Sequence, residues 1–448
     1  VAVVVGDLSL GKFFLNMEVS YFEMPVCHTV ILPIVYILAI AVILLITFVT
    51  YLSCRKVLKE PASEALRLEI PKVKQTKFDL TTKGIFKKSS LSTRWNLRDI
   101  ARNKGRTVMG IVGVIGCTML IVCAFGMLDT MNSYLDWQFD DLYKFKYKLT
   151  LEDDYTNEQY DKIINEYGNQ TSQTLGIEIK KSDDSKEANS ITINDAKEVL
   201  KTTGHKKEII ELKDGGVYVT EKLANKLNLN VDDEITWHVF GNDKWHTTKI
   251  VGLNRDPQSQ SLTMTRKYAE ELGLTYKADS VYTNYDLSNN TEIESVKTIQ
   301  GIETLKQGMQ SMLQTMKMMI VILILVSAIL GFVIIYNLGI LSFSEKQYQF
   351  ATLKVLGFKD KQIKKIFIKQ NIWITIVAII LGLPLGFIMT DYIFKAALGD
   401  NYDFSAKINF VSYLYAILGT YIVSWVVNKV LSKKVKSIDM VTSLKANE

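Results

Sequence analysis

Few residues in this chain have the types and spacing that chemistry needs. His205, His238 and His246 fall in one polar stretch, and His238 and His246 flank Gly241-Asn242-Asp243. A hairpin at that turn would bring two imidazoles together as ligands for a transition metal. No cysteine or paired acidic cluster completes the set, so ordinary strand histidines are the competing reading. No Ser-His-Asp or Cys-His arrangement follows from spacing, and catalytic residues are not expected. Lys104-Gly105-Arg106-Thr107 lacks the glycine spacing and preceding strand of a phosphate-binding loop. Hydrolysis of ATP by this chain is therefore not expected, and neither a cofactor nor a metal is expected in it.

The segment with the clearest chemical character is basic and apolar at once. It reads Ser342-Phe343-Ser344-Glu345-Lys346-Gln347-Tyr348-Gln349-Phe350-Ala351-Thr352-Leu353-Lys354-Val355-Leu356-Gly357-Phe358. Asp360 then opens a helix with Ile363, Ile366 and Phe367 on one face and Lys361, Lys364, Lys365 and Lys369 on the others. Such a loop is suited to lie at a membrane surface and meet another protein. An amphipathic turn resting on lipid would explain the lysines but not the run from Ala351 to Phe358.

Five charge-free apolar spans hold these residues in place: Met24 to Cys54, Thr107 to Leu128, Met318 to Ser344, Gln370 to Thr390 and Ile408 to Asn428. Each reaches the roughly 20 residues needed to cross a bilayer. The segments between them alternate in net charge, at −2, +10, −9, +5, −1 and +3 from the first to the last. Basic clusters in short loops mark the cytoplasmic side, which places the start outside and the end inside. The expected fold class is an α-helical transmembrane bundle with an inserted extracellular α+β domain on a helical stalk. The overall net charge of +6 averages an acidic exterior with a basic interior. Topology and anionic headgroups account for the basic residues, so nucleic acid is not an expected partner and membrane lipid is.

The expected organisation has five parts. Residues 1–67 end a preceding membrane unit, with its last span near 30–52, and residues 68–91 form a cytoplasmic linker. Residues 92–128 hold an interfacial helix and a span, and 129–317 the extracellular stalk and α+β domain. Residues 318–448 hold three spans, near 318–342, 371–390 and 408–428, with a cytoplasmic coupling loop at 345–369. No basic leader with a cleavage site precedes the first span, and a faint repeat relates Arg55 to Arg67 to Lys433 to Lys445. Both features suggest a piece of a longer polypeptide. In the interfacial helix Trp95, Leu97, Ile100 and Ala101 mark the apolar side, with Arg94, Arg98, Arg102, Lys104 and Arg106 supplying charge. In the domain, Gly216 to Val219, Glu234 to Phe240 and Trp245 to Leu253 read as strands, and Thr220 opens a helix through Leu227. Thr130 to Lys148 and Glu303 to Lys317 read as helical continuations of the flanking spans.

Four cysteines are present, none of them between Asp129 and Lys317, so the domain folds without disulfides. Cys117 and Cys123 lie on different faces of a helix and read as buried apolar residues, while Cys54 sits at a span end where acylation is an alternative. The spans contain no Asp, Glu, Lys or Arg, which disfavours an ion-coupled carrier. Asn337 and Gly382-Leu383-Pro384-Leu385-Gly386 read as helix-packing features.

At Phe350-Ala351-Thr352-Leu353-Lys354-Val355-Leu356-Gly357 the chain resembles the FtsX-like permease family, the MacB and LolC/LolE type of ABC transporter subunit, which carries R-x-x-E-[FI]-A/G-x-L-[KR]-[AV]-L-G at this place. Arg102-Asn103-Lys104-Gly105-Arg106-Thr107, Ala65-Leu66-Arg67, and Val217 to Ala224 followed by Val231-Asp232-Asp233-Glu234 extend the resemblance over residues 24 to 448. Lys346 and Gln349 replace the family's usual Arg and Glu, Gln370-Asn371 a common Glu, and Asp232 a usual Gly. The resemblance implies a non-catalytic permease subunit in a bacterial cell membrane, paired with a cytoplasmic ABC ATPase that holds the ATP and Mg. It implies coupling to that ATPase through Phe350, Ala351, Leu353, Lys354, Leu356, Gly357, Lys364 and Lys365. It implies mechanotransmission, in which closure of the ATPase drives the external domain during export, extraction or resistance. The alternative is an FtsX-like regulator that activates an extracellular partner such as a cell-wall hydrolase. A second permease half is expected, from the same full-length chain or from a homodimer. Candidate substrates by analogy are lipoproteins, lipids, peptides and antimicrobial compounds.

Overall fold

A computed structural model of the chain describes residue 15 and residues 32–58, 91–102, 104–181, 185–195, 199–288, 292–399 and 402–436. The beginning of the chain, the linker and the closing part of the repeat lie outside the described residues. The helices are α1 (Pro33–Leu58), α2 (Leu91–Arg102), α3 (Lys104–Leu135), α4 (Asn157–Tyr167), α5 (Glu221–Leu227), α6 (Arg266–Glu271), α7 (Ile302–Val355), α8 (Asp360–Leu398) and α9 (Phe410–Lys436). Five of them, α1, α3, α7, α8 and α9, are long and apolar enough to cross a membrane. Long runs of Leu, Ile, Val and Met favour helices because a helix satisfies its own backbone polar groups where water cannot.

The chain divides into two compact units. One comprises Val1–Gly110, Tyr336–Trp373 and Val427–Glu448, and the other Ile111–Ile335 and Ile374–Val426. In the second unit α3 packs closely on α8 and α9. A methyl group at Gly382 would come within 2.8 Å of Thr118 Cβ, and one at Gly386 within 2.5 Å of Val122 Cβ. These two positions must stay bare for the helices to approach, and α8 runs through Pro384 between them. Ile121, Val122 and Ala416 form the buried centre of this packing.

The same unit carries eleven strands. They are β1 (Tyr147–Leu151), β2 (Gln170–Lys180), β3 (Lys186–Asn194), β4 (Thr202–Thr203), β5 (Ile209–Ile210), β6 (Val217–Thr220), β7 (Glu234–Val239), β8 (His246–Asn254), β9 (Leu262–Thr265), β10 (Ser280–Thr283) and β11 (Val296–Gly301). The pairing order β2-β3-β9-β6-β8-β7 closes on itself, because the second half of β2 also pairs with β7 from Ile177↔Val239 to Lys180↔Thr236. Closure makes a small barrel and removes the exposed edges that invite aggregation. Its inward positions follow the two-residue period of strands, with Ile177 and Ile179 on β2, Ile191 and Ile193 on β3, and Val217 and Val219 on β6 fully buried with Trp237, Ile250 and Met264.

The first half of β2 pairs instead with β10, which continues the sheet through β1 to β11. Helix α4 covers this extension and is fixed at its start by a reciprocal capping box between Thr156 and Gln159. The helical reading of Thr130 to Lys148 is corrected here. After α3 a π-helical turn spans Asp136–Leu142, and Tyr147–Leu151 is strand, with Leu149 and Leu151 alternating into the core. The Leu-x-Leu spacing favours a pleat over a helix once β10 and β11 supply partners on both sides. Strand β11 ends at Gly301 and α7 begins at Ile302, with no connecting loop.

Trp237 is wholly buried in the barrel and donates to Thr248 Oγ1 at 3.0 Å. Trp237→Ala is expected to cost about 3–5 kcal/mol through the cavity it leaves. Denaturant unfolding of the detergent-solubilised chain, followed by tryptophan fluorescence, checks this, and an unchanged midpoint would contradict the barrel core described above.

Candidate coupling site

The site is built where α7 turns into α8. Gly357 adopts φ +88°, a left-handed conformation that ends α7, and the Leu356, Gly357 and Phe358 amides donate back to the carbonyls of Thr352, Lys354 and Leu353, each at 3.0 Å. Lys354 pairs with Asp360 across the turn at 3.1 Å. The turn leaves Val355 and Leu356 projecting, Leu356 with 70% of its surface exposed. Lys365 is exposed, and Leu353 and Lys364 are half-buried.

Phe350 and Ala351 point the other way. Both are buried, and the Phe350 ring sits 6.2 Å from Phe367 and 6.4 Å from Phe343, with Phe367 edge-on to both of the others. With Ile363 they hold α7 and α8 together at the turn. Of the residues the motif singled out, Phe350 and Ala351 therefore shape the turn from inside, while Leu356 and Lys365 are exposed on its outside and Lys364 is half-buried.

Below the turn lies a cluster of buried charge. Lys346 Nζ is 2.6 Å from Asp99 Oδ2 and also donates to Gln370 Oε1, while Gln370 Nε2 donates to Asp99 Oδ2 at 2.8 Å. Arg106 approaches the same carboxylate at 3.6 Å. Lys346, Asp99 and Gln370 are each about 97% covered. A buried ion pair is tolerated only when its remaining donors and acceptors are also engaged, and Gln370 meets that requirement by bonding both ions.

The cluster changes the reading of α2. An apolar face against lipid was expected, yet the buried stripe of this helix is Thr93, Asn96 and Asp99, spaced three apart. Asn96 Nδ2 donates to the Ile366 carbonyl at 3.1 Å, and Lys369 Nζ donates to Thr93 Oγ1 at 2.7 Å. So α2 is docked on α8 by polar contacts. Trp95 is half-buried and Arg98 exposed, and the Arg102 side chain lies outside the described residues. Lys346 and Gln370 had stood out only as replacements, and Asp99 had not stood out at all. An acid about two turns before a span is the sequence signal that marks it.

Residues 321–440 match the family described as FtsX-like permease C-terminal. Over these residues the chain is similar to that family. The family implies an ABC transporter permease-type membrane subunit, generally non-catalytic and generally working with an ABC ATPase. No curated protein matches the chain.

The FtsX-like region also contains the connection between α8 and α9, which meets the β domain. Arg255, after β8, makes a two-pronged contact with Asp403, Nε to Oδ2 at 2.7 Å and Nη2 to Oδ1 at 2.8 Å. The buried Trp137 ring lies between Lys207 Nζ, 3.9 Å from its centroid, and the Arg255 guanidinium at 5.4 Å. Burial, helped by the Arg255 charge, pushes the Lys207 amine down to about 8. Burial pushes the Asp256 carboxyl up, although the Gln258 and Ser259 amides donate to it. Sequence spacing carried no sign of the Arg255–Asp403 pair, whose members are 148 residues apart.

The histidines do not converge. In the β7–β8 hairpin His246 pairs in register with Trp237, which puts His238 on the opposite face. His238 Nε2 lies 2.8 Å from Glu178 Oε2 and its Nδ1–H donates to the Asn242 carbonyl at 2.9 Å, while His246 stacks on Trp237. Among the described residues no group of three or more His, Cys, Asp or Glu is placed to hold a metal.

Two tests follow from this geometry. Lys346→Met is expected to destabilise the first unit by about 3–5 kcal/mol because it leaves Asp99 buried without its cation, and adding Asp99→Leu should recover much of that loss. Thermal unfolding in detergent compares the three proteins, and equal melting of single and double variants would remove the case for the pair. The second test is pH. The Glu178 hydrogen bond raises His238 above its ordinary 6.5, and the His238 and Lys186 hydrogen bonds lower Glu178 below 4.5. A raised histidine stabilises fully below its unfolded value and loses this as pH rises through the folded one; a depressed carboxylate does so above its unfolded value and loses it as pH falls through the folded one. The His238→Phe variant should therefore differ most from wild type between those two ordinary values, and the difference should shrink above the raised histidine value, as read from melting temperature against pH.

Proposed function

We propose that this chain is the permease subunit of an ABC transporter that couples ATP hydrolysis by a separate cytoplasmic ATPase to motion of the β domain on the far side of the membrane. The observation that carries this reading is α7. It is one helix of 54 residues, beginning directly at the end of β11 and ending at the exposed Val355-Leu356 turn. At 1.5 Å per residue it extends about 80 Å, far longer than a bilayer requires. A continuous helix transmits displacement along its axis because every turn is hydrogen-bonded to the next, so a push at Leu356 would be felt at Gly301.

The ATPase would meet Val355 and Leu356, with Lys364 and Lys365 supplying charge beside them, and would hold the ATP and Mg itself. The basic segments beside the spans support a cytoplasmic turn and an external β domain in a bacterial plasma membrane. Spans free of Asp, Glu, Lys and Arg favour a device that moves helices over one that passes a polar solute between them. The task of the β domain is then export, extraction or resistance against a substrate met outside.

The protein purified in mild detergent from its native membrane tests this. Recovery of an ATP-binding protein is expected, and the variants Leu356→Asp and Lys364→Glu with Lys365→Glu should each reduce complex-stimulated ATP hydrolysis several-fold, a loss of about 1–2 kcal/mol in coupling. Absence of any ATPase under several mild conditions, or unchanged hydrolysis in both variants, would count against the reading.

A further inference from the structure

The β domain is joined covalently to its helices at two places, and these lie side by side. Helix α3 enters through the π-helical turn into β1, and β11 leaves into α7, with Tyr147 of β1 directly opposite Gly301 of β11. Two neighbouring tethers on the same side of a sheet would leave the barrel free to swing. The Arg255–Asp403 contact is a third attachment, on the barrel side. It is reinforced where the Asp403 amide donates to the Pro257 carbonyl at 3.1 Å and Lys222 Nζ donates to the Gly399 carbonyl at 3.0 Å.

What Asp403 sits on is firmly held. Lys407 N donates to Thr130 Oγ1 at 3.1 Å, Asn409 N donates to Asp129 Oδ2 at 2.8 Å, and the Phe404 ring stacks between Tyr134 at 4.3 Å and Phe394 at 5.4 Å. The segment from Tyr402 to Phe410 is thereby bound to α3 as well as to α8 and α9, and α3 packs on α8 through bare glycines and on α9 around Ala416. In the transmission reading α7 is the helix that moves, and Val321, Leu325, Val326, Ile329 and Val333 are exposed along it, as apolar residues of α8 and α9 also are.

We propose that the Arg255–Asp403 pair is the fulcrum of the β domain, which deepens the transmission reading above and rests on it. When α7 shifts, its direct junction with β11 displaces one side of the sheet, while Arg255 holds the barrel to the fixed α8–α9 connection. The domain then turns about that contact, and the β7–β8 hairpin sweeps through a larger arc than α7 itself moves. Arg255 is a positioning residue in this scheme. Its two parallel hydrogen bonds fix orientation as well as distance, and the Trp137 ring lies 5.4 Å from the guanidinium, within cation–π range.

The experiment uses the full chain with its ATPase in lipid nanodiscs, the four native cysteines replaced, and spin labels at Asp243→Cys on the barrel and Phe410→Cys at the start of α9. In the otherwise native chain a non-hydrolysable ATP analogue is expected to shift the inter-label distance. With Arg255→Ala, and with the near-isosteric Asp403→Asn should the first fail to fold, ATP hydrolysis should persist while the shift is lost or spread into a broad distribution. Arg255→Lys, which keeps the charge, should restore part of it. A shift unchanged in both Arg255→Ala and Asp403→Asn would overturn the fulcrum and leave transmission standing. Absence of any shift in the native chain with an active ATPase would overturn the transmission reading and the fulcrum together.

Discussion

A charge can be kept away from water only if the groups around it replace what water supplied, and this constraint organises both units of the chain. In one, Asp99 and Lys346 are shut in with Gln370 bonded to each, and the contact draws α2, α7 and α8 to a common point. In the other, Asp403 receives both prongs of the Arg255 guanidinium, and the buried Trp137 ring lies beside that cation. Removing one member of either pair would leave a buried ion rather than merely a missing bond. Both contacts are therefore specific in geometry in a way that apolar packing of the long helices is not. Leu, Ile and Val surfaces tolerate sliding and rotation; a two-pronged ion contact accepts one orientation.

The rest of the β domain depends on closure. Because β2 is long, its first half serves the open extension β10-β1-β11 and its second half completes the barrel through β7. One strand thus belongs to two structures, and the core of each fixes the register of the other. The small sheet to which α3 and α7 are joined is consequently not an appendage. It shares backbone with the barrel, so a displacement of β11 reaches the barrel across β1, β10 and β2 by backbone hydrogen bonds rather than through loops.

Much of this was visible in the sequence wherever burial follows apolar periodicity. The alternating stretches Gly216 to Val219, Glu234 to Phe240 and Trp245 to Leu253 contain most of β6, all of β7 and most of β8, and the long apolar runs overlap the helices able to cross a membrane. Reading failed where burial is polar. The covered stripe of α2 is Thr93, Asn96 and Asp99, which a search for apolar spacing assigns to the outside. The motif around Phe350 was conspicuous as sequence, yet its aromatic member faces inward and only its end projects. Contacts between distant residues, such as Arg255 with Asp403, leave no trace in spacing because nothing local requires either residue to be charged. The strand reading of Tyr147 to Leu151 was lost for a related reason: an apolar helix precedes it, and the change of period comes only after the π-helical turn.

The seamless junction of β11 with α7 sets a phase. Residues in a strand alternate sides and residues in a helix advance by about 100° each, so with no intervening loop the orientation of β11 against β1 fixes the angular position from which α7 starts. Inserting or deleting one residue at Gly301 would either reverse the strand or rotate the whole helix by about a quarter turn. Length variation in the chain should therefore be confined to places such as the Gly241-Asn242-Asp243 tip of the β7–β8 hairpin, where an added residue has nothing downstream to turn.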